Sequence, residues 1–445
     1  MQKNDKWVGT CSGYTFDGMG VVKKDGVVFF VKGLMEDETA ELSVLRMKKN
    51  YGYARIVELL EPSSHRVEPK CSVSKRCGGC PIMYMDETEQ NAFKEFKVKE
   101  CFKKNAKMDI EPLPIINGGK PYNYRNKVVV PVSVENGQVK MGFFAPHSNN
   151  IVEFDACYVQ TGLSNTIIQE VKEELQHIGC GKFFRHVLIK HAHITNEVMV
   201  CFIVKKDKVF GLDRIAKNIA SKHPQIKSIM SMVNKREDNV ILDGEETCLY
   251  GRPYIEEELL GERFRISMRS FFQINPYATA KLYATALDYA NISKDDVVVD
   301  LYCGTGTIGL LASRRCKKVY GIEIVEAAIV DAKKNAVANG ITNAEFFALD
   351  AGKGANKLNE MNVQVDVVIV DPPRKGCSKE TMDAIFVMNP KRLVYVSCDP
   401  ATLARDVKYL SENGYEAKVI QPVDLFPHTH HVETIVMLEN TNYNH

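Results

Sequence analysis

Val297-Val298-Val299-Asp300-Leu301-Tyr302-Cys303-Gly304-Thr305-Gly306-Thr307-Ile308-Gly309 reads as a buried strand that runs directly into a glycine-rich turn. A β-branched run of this kind suits a strand covered on both faces, and the G-x-G-x-x-G spacing lets the backbone turn tightly into a helix and approach a ligand closely. The same alternation continues outward: strands are expected at Lys318–Glu323, Val365–Asp371 and Leu393–Val396, separated by stretches long enough for helices. That order implies an α/β fold with a doubly wound, mostly parallel sheet over residues 262–445.

Upstream the organisation differs. Short β-rich runs, Val27–Val31 and Thr39–Leu45, alternate with glycine turns at Gly13, Gly18, Gly20, Gly26 and Gly33, which predicts a small OB-like β-barrel within residues 1–62. Residues 63–261 open with a cysteine-rich knot. An amphipathic helix is expected next, from Asp86 to about Lys107, with Phe93, Phe96, Cys101 and Phe102 near helical spacing, and then a mixed α/β region. Three domains agree with a chain of 445 residues, too long for one hydrophobic core, of which 45% are hydrophobic. Thirteen cysteines and no charged-then-apolar leader in Met1–Trp7 point to a reducing cytoplasm. No apolar run is long enough to span a bilayer, so no membrane association is expected. A net charge of +2 means that any nucleic-acid surface must be local.

Four features carry chemistry. The glycine turn with Glu323 at the next strand end suits a cofactor whose ribose hydroxyls need a carboxylate, either a dinucleotide or S-adenosylmethionine. Asp371-Pro372-Pro373 at a later strand end favours the methyl donor. Cys398, in Val396-Ser397-Cys398-Asp399-Pro400, lies where ligands bind in open α/β sheets, so a nucleophilic thiol competes with the ordinary buried cysteine. Cys71, Cys77 and Cys80 form a C-x5-C-x2-C array with Cys157 as a distant fourth ligand and Cys101 as its rival; four thiolates suit zinc or a [4Fe-4S] cluster alike. Finally, Arg46–Arg55 and Lys120–Lys127 interleave basic and aromatic residues, as RNA contacts require, although a solvated turn with surface lysines explains the first equally well. His428, His430 and His431 have no second ligand group at metal spacing and are expected to be loop residues.

Across Asp300–Gly306, Asp371–Gly376, Val396–Asp406 and Phe271-Phe272-Gln273-Ile274-Asn275, the sequence resembles the RNA (uracil-5-)-methyltransferases that use S-adenosylmethionine. The resemblance implies that Cys398 is the nucleophile and that Glu433, in Phe426–Glu433, is the general base. It places Gln273, Tyr302, Gly304, Thr307, Glu323, Asp350 and Asp371 around the methyl donor, with Thr307 and Asp350 standing where some relatives have asparagine. Residues 10–60 resemble the TRAM domain, an RNA-binding barrel, and Lys120–Lys127 a family stretch near the target nucleotide. The cysteine array resembles that of iron-sulfur members acting on large-subunit ribosomal RNA. It implies a [4Fe-4S] cluster on Cys71, Cys77, Cys80 and Cys157 and makes 23S rRNA, rather than DNA, the expected partner of a monomeric enzyme. In such relatives the helix after the knot packs on the catalytic domain. A transfer-RNA methyltransferase with identical chemistry is the alternative; a non-catalytic RNA-binding module would leave Cys398 and Glu433 without a reason to occupy motif positions together.

Overall fold

The structure, a computed structural model, describes residues 1–443. Five strands, from Lys6–Tyr14 to Tyr51–Glu61, close into a barrel at the N-terminus. Alternating residues of these strands fill its interior, with Val22, Phe29, Val31, Leu42 and Val44 excluded from solvent. Lys48 and Lys49 lie at the turn between the strands Thr39–Met47 and Tyr51–Glu61. Near that turn Phe30, Tyr51 and Tyr53 cluster, with ring centroids 5.5–5.8 Å apart.

The central region carries a six-stranded sheet in the order Glu245–Gly251, Ile226–Val233, Val198–Val204, Phe184–His191, Lys127–Glu135, Gln138–Met141. The helices Gly162–Ile178 and Leu212–Lys222 bury apolar residues against it. The C-terminal sheet has eight strands in the order Ala344–Ala348, Lys318–Glu323, Val297–Leu301, Val367–Val370, Arg392–Ser397, Glu433–Asn440, Tyr415–Asp424, Ile116–Asn117. The first five are parallel, and Glu433–Asn440 runs antiparallel between its two neighbours.

Two findings correct the segment boundaries read from the sequence. The strand Ile116–Asn117, although within 63–261, completes the edge of this eight-stranded sheet; the Glu87–Cys101 helix with its π-helical end, Phe102–Ala106, packs Val98, Cys101, Phe102 and Ala106 into the sheet's core, the placement that the resemblance implied. The boundary at 261/262 cuts through a hairpin formed by Tyr254–Leu259 and Glu262–Ser267. Asp86 caps the helix, its carboxylate accepting from the Glu89 amide, and Lys107 ends it with φ 60°. Phe93 is buried whereas Phe96 is 43% exposed, so the expected stripe is narrower than its spacing suggested. Among the described residues no helix is long and apolar enough to cross a membrane.

Candidate active site

The parallel strands all end at one edge of the sheet, and the strand order reverses between Val297–Leu301 and Val367–Val370, which opens a crevice there. Tyr302 turns the chain with φ 62°, and its hydroxyl pairs with that of Thr381 at 2.7 Å. Gly306 has φ 81°, and a Cβ there would lie 3.0 Å from Phe346 and 3.1 Å from Ala332, so only glycine fits. A Cβ at Gly309 would meet the Asp300 carboxylate at 2.9 Å; that carboxylate accepts the Gly309 amide at 2.7 Å and ties the helix Thr307–Ser313 to its strand. Burial pushes Asp300 up to about 8.

Glu323 accepts the amides of Gly304 at 3.3 Å and Val325 at 2.9 Å, so its carboxylate stands beside the glycine turn. Asp350 lies just past the adjacent strand, where it caps the helix Ala351–Glu360 through the Lys353 amide, which holds its carboxyl below the usual range. Asp371 follows Val370 and lies beside the side chain of Gln273, which reaches in from the loop before the helix Pro276–Tyr289. Burial raises Asp371 to about 7, the neighbouring Gln273 side chain opposing the rise. The proposed methyl-donor residues therefore share one rim. Gly304, with φ 54° and open space where a Cβ would stand, leaves room for close approach of a ligand.

Cys398 and Glu433 meet because of strand register. Ser397 pairs with Thr434 in the antiparallel ladder, so the next residue on one strand and the preceding one on the other emerge together. Glu433 is buried, and its Oε2 has no hydrogen-bond partner among the described residues. The strand therefore starts on a buried carboxylate and not on one in solvent. Burial, then Asp371, raise the Glu433 carboxyl well above the usual range, opposed by Arg374. Burial and the Glu433 charge push the Cys398 thiol up to about 11, and Arg374 again opposes. Arg374 is the cation that favours both anions. Its guanidinium lies 3.4 Å from His431 Nε2, and burial lowers that imidazole to about 3.

The segment leading to Glu433 is fixed from outside the sheet. Lys94, fully buried on the Glu87–Cys101 helix, donates to Asp424 at 2.6 Å and to the Phe426 carbonyl at 3.2 Å. Lys97 donates to the His430 carbonyl at 2.8 Å, and the Gln90 side chain accepts the His428 amide at 2.7 Å. Sequence reasoning missed Lys94, Gln90, Asp300 and Arg374 as site components. A lysine and a glutamine on a helix look like solvated surface until their partners, 330 or more positions away, are known. Asp300, a carboxylate inside a strand of valines, and Arg374, inside the Asp371–Gly376 motif, carried a local signal.

Cys71, Cys77, Cys80 and Cys157 line a separate cavity of about 180 Å³, with Arg125 in its wall, and all four are free thiols. Cys101 faces the core of the C-terminal sheet instead, which removes it as the rival ligand. Burial pushes up the thiols of Cys77, Cys157 and Cys80, the last to about 12, with Arg125 opposing in each case. Among the described residues no three His, Cys, Asp or Glu side chains converge closely enough to hold a metal ion, so a compact ligand set is not what these thiols form here. The three loop histidines near Glu433 form no such group either.

A family model described as tRNA (uracil-5-)-methyltransferase matches residues 87–441. An RNA methyltransferase of Oceanobacillus iheyensis is 41% identical over 98% of this chain and 97% of its own length, and one of Clostridium acetobutylicum is 40% identical over 96% and 95%. The crystal structure of Pyrococcus abyssi tRNA (uracil-54, C5)-methyltransferase in complex with S-adenosyl-L-homocysteine superposes with a TM-score of 0.76 at 26% identity, covering 97% of this chain and 100% of that one.

Proposed function

The chain belongs to the uracil-5 family of S-adenosylmethionine-dependent RNA methyltransferases, and from that premise we propose that it methylates C5 of a uridine in 23S rRNA through a covalent adduct at Cys398. The observation that carries this reading is the strand register that brings Cys398 and Glu433 to one point beside Asp371. Uracil C5 is too weak a nucleophile to accept a methyl group directly. When the Cys398 thiolate adds at C6, the C5–C6 electron pair is displaced toward C5 and O4, and C5 then takes the methyl group. The methyl donor supplies an electrophilic methyl on a sulfonium; Glu323, the Gly304 turn, Asp371 and Gln273 would hold it. The Glu433 carboxylate removes the C5 proton, the electron pair re-forms the double bond, and the C6–S bond breaks to free Cys398. Burial disfavours the ionised forms of both groups and the charge of Arg374 opposes it; a cationic donor beside Asp371 would oppose it further. The base would be flipped out of its stack to reach this recess.

Glu433→Gln should methylate and then stall, leaving a denaturant-resistant protein–RNA adduct that carries methyl label and disappears when Cys398 is also replaced by Ala. Turnover of Glu433→Gln at the wild-type rate would remove Glu433 as the base.

A [4Fe-4S] cluster on Cys71, Cys77, Cys80 and Cys157 is part of this reading. In its favour, the four thiols line one cavity beside the largely buried guanidinium of Arg125, for which the structure shows no carboxylate partner and whose Nε has none among the described residues. A thiolate-ligated centre would supply the missing negative charge. Anaerobically purified protein should contain about four irons per chain; stoichiometric zinc without iron would overturn the assignment. The cysteine array also supports 23S rRNA as the substrate. Transfer RNA is the second reading, favoured by the likeness to the Pyrococcus abyssi enzyme along its whole length. Mapping 5-methyluridine in both RNAs from cells lacking the protein separates the two.

A further inference from the structure

Residues Tyr122–Asn126 lie between the cysteine cavity and both loops of the candidate site, outside any helix or long strand, with Asn123 at φ 53° reversing the chain. The contacts of Tyr122, Tyr124, Arg125 and Asn126 go to three parts of the molecule. The Tyr122 ring lies 4.6 Å from that of His428. The hydroxyl of Tyr124, a fully buried residue, donates to the Pro427 carbonyl at 3.1 Å, six positions before Glu433. The Arg125 amide donates to the Val159 carbonyl at 2.9 Å while its side chain lines the thiol cavity. Asn126 donates through Nδ2 to the Gln273 carbonyl at 2.7 Å and through its amide to the Ile274 carbonyl at 2.9 Å.

These bonds close on themselves. Asn275, two residues past Gln273, donates through Nδ2 to the Leu425 carbonyl at 3.1 Å, so the Gln273 loop is tied to the Glu433 loop directly as well as through residues 124–126. The ring runs Asn126 to Gln273, Asn275 to Leu425 and Pro427 back to Tyr124. Tyr124, Asn126, Gln273 and Asn275 are all buried, so each bond is shielded from water and each acceptor left behind would be desolvated without a partner.

We propose that Tyr124 and Asn126 are positioning residues for the reaction: Asn126 sets the loop that places Gln273 beside Asp371, and Tyr124 sets the loop that delivers Glu433, with the wall of the cysteine cavity as their common anchor. The two ends of the ring serve different steps, which a purely structural role would not produce. The inference rests on the roles given above to Gln273 and Glu433, and it takes no step through a metal.

The test uses the full chain and two variants. Asn126→Ala should weaken S-adenosylhomocysteine binding about tenfold by calorimetry and leave the fraction of adduct resolved in a single turnover unchanged. Tyr124→Phe should keep that affinity and slow adduct resolution about tenfold, so that a labelled protein–RNA species accumulates. Asn126→Ser, which retains a short donor, replaces Asn126→Ala if the latter does not fold. If both variants change affinity and resolution in the same proportion, or change neither, the proposal is overturned. Should Glu433→Gln itself form no adduct, the reading of Glu433 fails. Should it accumulate adduct while Tyr124→Phe does not, only the positioning role fails. Iron measured on each preparation decides the cluster assignment separately.

Discussion

Replacing Lys94 by Met tests whether the Glu87–Cys101 helix holds the catalytic end of the sheet. The Lys94 ammonium is inaccessible to solvent and the Asp424 side chain is 6% exposed, and they meet at 2.6 Å. Methionine fills much of the same volume without the charge. Asp424 would then remain buried with the Phe426 amide, 3.1 Å away, as its remaining hydrogen-bond donor, and the Phe426 carbonyl would lose a donor. Removing one member of a buried pair costs about 3–5 kcal/mol, which at roughly 2–4 °C per kcal/mol for a domain of this size lowers the melting temperature by about 6–20 °C. Calorimetry or circular dichroism, following the cooperative unit that contains the catalytic sheet, reads the shift. The double variant Lys94→Met, Asp424→Leu removes both charges together and should recover most of the loss, because an apolar pair avoids the desolvation that the ion pair has to overcome. A single variant that melts within about 2 °C of wild type, or a double variant no more stable than the single, would refute the reasoning.

Cys398, held near 11 by burial and by Glu433, should react with iodoacetamide only as the pH climbs well above neutrality. Glu433→Gln removes a charge that disfavours the thiolate, so its alkylation profile should move to lower pH; an unmoved profile would mean that the two groups do not interact. Asp371, raised from 3.8 to about 7, binds a proton in the folded chain that the unfolded chain has released. Its contribution to stability is therefore complete below pH 3.8 and lost as the pH rises to 7, by at most about 4 kcal/mol. Asp371→Asn should remove this share of the slope in urea titrations at successive pH values, leaving the part carried by Asp300 and Glu433, and a variant that keeps the wild-type slope would count against it. On the barrel, Lys48→Ala with Lys49→Ala should weaken RNA binding and reduce the logarithmic salt slope by about 2 while S-adenosylhomocysteine affinity stays constant; an unchanged slope would exclude that turn as a phosphate contact.

Much of the candidate site was legible because it is written locally. A run of valines long enough for a strand, followed by glycines spaced for a tight turn, specifies a strand-turn-helix whatever surrounds it, and carboxylates at later strand ends fall on the same rim once the sheet is parallel. The barrel was legible for the same reason, since its strands alternate and its turns carry glycine. Other features depend on pairings between distant residues. Nothing within the Glu87–Cys101 helix tells its neighbours Phe93 and Phe96 which will be buried. Nothing near Ile116 announces that it extends a sheet whose neighbouring strand ends at Asp424. The burial of Glu433, the Lys94–Asp424 pair and the closed ring through Tyr124 and Asn126 belong to this second kind. Local backbone preferences choose the elements from a few neighbouring residues. Which polar groups end up out of water, and beside which partners, is decided when apolar faces from remote segments pack together, because desolvation acts on a group only once the rest of the chain has closed around it.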